Sequence, residues 1–176
     1  MTHLSSRLAG VGRQEEALEA IDEAVRIRRR LVLARPDAFE PELAGTLNHL
    51  AVLLARSGRW EEALAGIGES VGVYRRLVLA RPDAFEPELV GTLNHRAILL
   101  AHLGRGDDAL DAVEEAMRRM LRLLERRPVG LADRGRSLLD SYRQLCTRLG
   151  TEPDGALITR LHSAVAAARQ ESKAVT

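Results

Sequence analysis

The sequence predicts an all-α fold, an α-solenoid of about four antiparallel helix pairs with a 46-residue period. Three observations predict it. Gly12, Gly58, Gly104 and Gly150 fall 46 residues apart, and the first three open the segments GRQEEAL, GRWEEAL and GRGDDAL. The stretch RRLVLARPDAFEPELAGTLNH from Arg29 to His49 returns from Arg75 to His95 with a single change, Ala44 becoming Val90, and Gly12–Ser57 laid over Gly58–Leu103 gives 33 identities in 46. Within one period Leu47, Leu50, Ala51 and Leu54 stand at i, i+3, i+4 and i+7, one face of a helix, and Arg96 replaces the leucine of Leu50 in the next copy.

The units are expected at about 1–36, 37–82 and 83–128, with a divergent terminal unit at 129–172 and a tail at 173–176. Met1 falls where a first helix A is already under way without the RPDAFEPEL lead-in, so the stack starts with a stub or belongs to a longer array. Helix A of the second unit is predicted from Pro41, whose missing N–H suits a first turn, to Arg56, with Ser57-Gly58 as its stop. Helix B opens on Glu61 and Glu62, which complement a helix N-terminus, and runs to about Ala80, where Arg81-Pro82 ends it. From Leu43 to Ala55 there is no Asp, Glu, Lys or Arg, so helix A needs cover on several sides, while helix B is charged along one. One such pair cannot bury its own helix A; a stack of copies can. The last unit, with Arg143 at the place of Ala51 and Ala97, reads as a distorted cap.

These residues resemble the tetratricopeptide repeat, in its longer, kinesin light chain type. The resemblance rests on LNHLAVLLARSGRWEEAL from Leu47 and LNHRAILLAHLGRGDDAL from Leu93, with the small crossing residues at Ala51, Gly58 and Ala63 and again at Ala97, Gly104 and Ala109. It covers about residues 1–128, and near-identical long repeats of this sort resemble those of high-GC actinobacteria. It implies a right-handed superhelix, binding of a peptide or partner-protein segment on the concave face lined by helices A, and a scaffold or sensor role in a larger signalling protein.

Composition sets limits on function. Twenty-six basic against 25 acidic residues leave a net charge of +1, which draws the chain toward neither nucleic acid nor an anionic membrane. Arginine outnumbers lysine 25 to 1, read as a GC-rich genome. The single cysteine, Cys146, excludes an internal disulfide, fits a reducing, cytoplasmic setting, and is expected as a buried filler at the place of Leu54 and Leu100. No run is apolar enough for a membrane span, and the start has no signal-peptide pattern. There is no phosphate loop, HExxH or nucleophile elbow, so neither an enzyme nor a cofactor is expected.

The candidate binding stripe lies on helix A: Gly45, Asn48, Val52, Ala55 and Arg56, echoed by Gly91, Asn94, Ile98, Ala101 and His102. Glycine inside a helix costs about 1 kcal/mol against alanine, so its recurrence suggests close approach to the backbone. An amide donates and accepts at once, and in similar repeats asparagines matching Asn48 and Asn94 hold the backbone of an extended peptide. The competing reading is that these residues only seat the neighbouring helix A. Ser137 and Asp140 take the equivalent places in the fourth unit. His3, His49 and His95 share the register, but rungs about 8 to 10 Å apart cannot share one metal ion. The helix B arginines, among them Arg26, Arg29, Arg76, Arg118, Arg119 and Arg122, could hold phosphates; scarce aromatics and pairs such as Glu114–Arg118 and Glu115–Arg119 favour a solvated outer face. Self-association through exposed ends of the stack is the other rival. Trp60 is expected at the A-to-B turn, and Phe39 and Phe85 in the connection before helix A.

Overall fold

The structure, a computed structural model, describes residues 2–126 and 130–174, with side chains for 14–126 and 130–171. Met1 and the boundary at 128/129 lie outside the described residues. Among those residues there are seven helices and no strand: α1 (Thr2–Ala34), α2 (Pro36–Arg56), α3 (Trp60–Ala80), α4 (Pro82–His102), α5 (Gly106–Arg126), α6 (Ala132–Leu149) and α7 (Gly155–Ala174). The chain divides into two compact units, Met1–Leu77 and Val78–Thr176.

The period glycines form the A-to-B turns. Gly58, Gly104 and Gly150 have φ of 76°, 74° and 68°, a left-handed conformation that a Cβ disfavours. At each, the next residue's N–H reaches back to the last helical turn: Arg59 to the Leu54 carbonyl at 2.9 Å, Arg105 to Leu100 at 2.9 Å and Thr151 to Cys146 at 3.0 Å. With the glycine N–H bonded to Ala55, Ala101 and Thr147, these are three Schellman closures. Gly12 shares the register yet lies inside α1, so the first copy has no A-to-B turn there. Gly58 and Gly104 each follow an apolar helix onto which the chain folds back. Carrying a helix across glycine costs only about 1 kcal/mol.

Helix A begins earlier than Pro41. Pro36 and Pro82 occupy the first turns of α2 and α4, and Pro41 and Pro87 lie inside. The added turn is fastened by stacking, with the Arg35 guanidinium 5.1 Å from the Phe39 ring centre and Arg81 4.8 Å from that of Phe85. Phe39 and Phe85 therefore belong to helix A itself, and the connection from helix B shrinks to one residue. Helix B starts at Trp60, half-buried at the turn, and ends at Ala80 as expected.

In the first unit Leu43, Leu47, Ala51 and Leu54 of α2 are buried, as are Ala63, Ile67 and Val71 of α3. Ser70, fully buried, donates to the Ala44 carbonyl at 2.7 Å, which satisfies a hydroxyl the core would otherwise strand. In the second unit α5 packs on α4, α6 and α7. There Gly135 is required by packing, because a Cβ would stand 2.6 Å from Val165 Cγ2. Cys146 is buried, as expected. Arg143 is exposed where Ala51 and Ala97 are buried, so α6 keeps one side wet. The Tyr142 hydroxyl accepts from the Asp154 N–H at 2.9 Å, and Asp154 in turn caps α7 through the N–H groups of Ala156 and Leu157.

Two measurements check this account. Gly58→Ala should cost about 1 kcal/mol in urea unfolding, whereas Gly68→Ala, in α3 with open space around it, should gain up to about 1 kcal/mol. Burial pushes the Tyr142 phenol above its ordinary 10.0. A raised folded-state value gives stabilisation that is complete below the unfolded value and lost as pH rises, so unfolding midpoints should decline above pH 10.0 and decline less in Tyr142→Phe.

Candidate functional site

The stripe residues divide between the two units. On α2, Gly45, Asn48, Val52 and Ala55 are half-buried and Arg56 is exposed. A Cβ at Gly45 would stand 3.5 Å from the Tyr74 hydroxyl of α3, ordinary contact. Gly45 therefore sits beside its own hairpin partner, and nothing there demands glycine.

On α4 the stripe runs along the side that meets α6. Three contacts stitch that seam: Glu88 to Arg134 at 3.8 Å, Asn94 Nδ2 donating to Ser141 Oγ at 3.3 Å, and Arg148 Nη1 3.4 Å from the His102 ring nitrogens. Their separations are 46, 47 and 46 residues. The period is thus a physical neighbour relation here, one helix A lying beside the next. His102 Nδ1 stands 2.9 Å from the Ile98 carbonyl. The tautomer that satisfies both contacts has Nδ1 donating to Ile98 and Nε2 accepting from Arg148.

This seam engages the α4 stripe unequally. Ala101 is buried, and Asn94 is half-buried with its Oδ1 inaccessible and unpartnered. Gly91 is exposed with no atom within 4 Å of a built Cβ, and Ile98 is 41% exposed. Open backbone and an uncovered branched side chain thus stand two turns apart on one side of α4, flanked by Asn94 and His102. Ser137 and Asp140 of α6 are exposed.

The helix B arginines are mostly answered by carboxylates. Glu114–Arg118 and Glu115–Arg119 form as expected, at 3.2 and 2.9 Å. Burial works against the Arg119 charge, but Glu86 and Glu115 together hold its guanidinium above the ordinary value. Arg76 reaches Glu40, and Arg29 of α1 crosses to Glu69 of α3. That last pair bridges a groove of about 510 Å³ between α1 and α3, floored by Leu47, Leu50 and Leu54. Sequence reasoning missed this groove. Its one signal was that Glu69 repeats Glu23 one period on, placing an acid across from Arg29.

His49 is exposed, His95 is half-buried, and the His3 side chain lies outside the described residues. Among the described residues no three His, Cys, Asp or Glu side chains gather to hold a metal, and no helix is long and apolar enough to cross a membrane. A family model described as Tetratricopeptide repeat matches residues 1–35, 43–80 and 89–128. No curated protein matches the chain.

The seam yields a stability test. An orphaned buried acceptor already costs about 1–3 kcal/mol, so Asn94→Ala removes that cost along with one long hydrogen bond. Its unfolding free energy, measured in urea, should stay within about 0.5 kcal/mol of the parent's.

Proposed function

The chain belongs to the tetratricopeptide repeat family, and from that premise we propose that it is a protein-interaction module whose helix A side holds a peptide or a segment of a partner protein. The observation that carries this reading is the pairing of Ile98, 41% exposed, with open backbone at Gly91 on one side of α4. An apolar side chain of a ligand gains by covering Ile98, and the absent side chain at Gly91 lets an extended strand approach the helix. Asn94, already holding Ser141 with one amide hydrogen, keeps a second to offer. Asn48 supplies the same group type on α2, with Val52 and Arg56 beyond it. The 46-residue period supports the long, kinesin light chain-like form of the repeat, and the arginine bias fits a high-GC actinobacterial source. We read the role as scaffolding or sensing, without catalysis or a cofactor, in the cytoplasm.

The test uses a partner captured by the full chain and identified. Ile98→Asp should weaken its binding about tenfold or more, Gly91→Leu comparably, and Asn48→Ala with Asn94→Ala together by about 1–3 kcal/mol. Unchanged affinity in all three variants, measured by calorimetry, would remove the assignment.

A further inference from the structure

A cleft of about 210 Å³ lies between the first turns of α4 and the last turns of α5, lined by Asp83 and Glu86 from one helix and Arg119, Arg122 and Arg126 from the other. Each acid is already answered. Glu86 accepts from Arg119 at 2.7 Å, both side chains mostly buried, and Arg119 also holds Glu115. Asp83 lies in the first turn of α4, a helix that starts at Pro82 without a side-chain cap, so the partial positive charge of that N-terminus faces this carboxylate. Two guanidiniums have no such answer. Among the described residues Arg122 and Arg126 form no ion pair, and both are exposed. One period earlier the five positions read Asp37, Glu40, Val73, Arg76 and Ala80. There the one guanidinium, Arg76, takes Glu40 at 2.7 Å. In the second unit Arg119, standing where Val73 stands, takes Glu86 instead, which releases Arg122 from the role of Arg76, while Arg126 replaces a methyl group. Three guanidiniums thus stand where one stood, with the lining acids unchanged. Arg122 and Arg126 are four residues apart, neighbours on one helix face where like charges repel. An anion between them reverses the sign of that interaction.

We propose that Arg122 and Arg126 bind the phosphoryl group of a phosphate monoester. The choice among anions follows from the two planar forks. A carboxylate has two oxygens and fills one guanidinium, whereas a phosphoryl group offers three, enough to engage both. Its charge of about −1.5 to −2 at pH 7 also matches two guanidiniums. A phosphodiester, as in a nucleic-acid strand, has only two free oxygens and one charge, and is the poorer fit. The volume of the cleft admits the phosphoryl group and a few further atoms, so recognition centres on the ester while the rest of the ligand lies in solvent. This site, at the start of α4 and the end of α5, is apart from the stripe between Gly91 and His102 and stands whether or not that stripe binds.

The experiment titrates O-phosphoserine into the isotope-labelled full chain at pH 7 and follows the arginine Nε–H signals by NMR. Saturable shifts are expected at Arg122 and Arg126, with a Kd of about 1 mM, and none with serine. Arg122→Gln with Arg126→Gln should weaken binding about tenfold or more. The double change to lysine should weaken it less, because lysine keeps the charge and loses the fork. Arg118→Gln, exposed and paired with Glu114 outside the cleft, should leave binding unchanged. The replaced side chains are exposed, so the variants keep the fold, which circular dichroism verifies. A short peptide with an internal phosphoserine separates the sources: tighter binding than the free amino acid assigns the phosphoryl group to a modified protein, equal binding to a small molecule. The proposal is overturned by shifts that never saturate, by binding that survives the double glutamine variant, or by equal affinity for acetate or dimethyl phosphate.

Discussion

Everything in this fold follows from a helix A too apolar to meet water on more than one side. The thirteen residues from Leu43 to Ala55 include no Asp, Glu, Lys or Arg, and burying their leucines contributes about 1.5–3 kcal/mol each. No single partner helix covers such a surface. α2 is met by α1 through Val25 and by α3 through Ser70 and Tyr74, so the helix before and the helix after share the task. The small residues at Ala44, Ala51 and Ala63 allow the approach, and all three are buried. Helix B can remain charged along its other side because it needs only one dry face.

The same demand explains the ion pairs. Arg29–Glu69, Arg76–Glu40 and Arg119–Glu86 each join two different helices across the rim of an apolar contact. The Arg29–Glu69 pair, exposed on both sides, is worth at most about 1 kcal/mol, while Arg119–Glu86 is largely buried and offsets its own desolvation. They fix which helices are neighbours more than they hold them together. Their use of arginine also leaves fewer free cations than a count of basic residues suggests.

Local features were legible from the amino acids, and non-local ones were not. The turns at Gly58 and Gly104, the span of helix B, the buried Cys146 and the pairs at Glu114–Arg118 and Glu115–Arg119 all depend on residues within one or two turns of each other. The start of helix A was misread because Pro41 looks like a first-turn proline. The deciding contacts, Arg35 on Phe39 and Arg81 on Phe85, leave no periodic trace. The groove between α1 and α3 was missed because its bridge joins residues 40 apart in sequence. Of the stripe, the spacing placed the α4 residues on one side of the helix, and the structure sets that side along α6. The spacing could not foresee that Asn94 would turn toward Ser141, which lies 47 and not 46 residues away in a copy that has drifted.

The passage from helix B to the following helix A is a single residue, with φ and ψ of −146° and 81° at Arg35 and −141° and 75° at Arg81. Two dihedrals at Arg35 therefore set the direction in which α2 leaves α1, and there is no slack to absorb an error. Inserting or deleting one residue at Arg35 would swing α2 about its axis by roughly 100° relative to α1, since each residue advances a helix by a 3.6th of a turn. Such an array can diversify by exchanging letters or by copying whole 46-residue blocks, but its length is quantised, and the near-verbatim second copy is the kind of record that growth by duplication leaves.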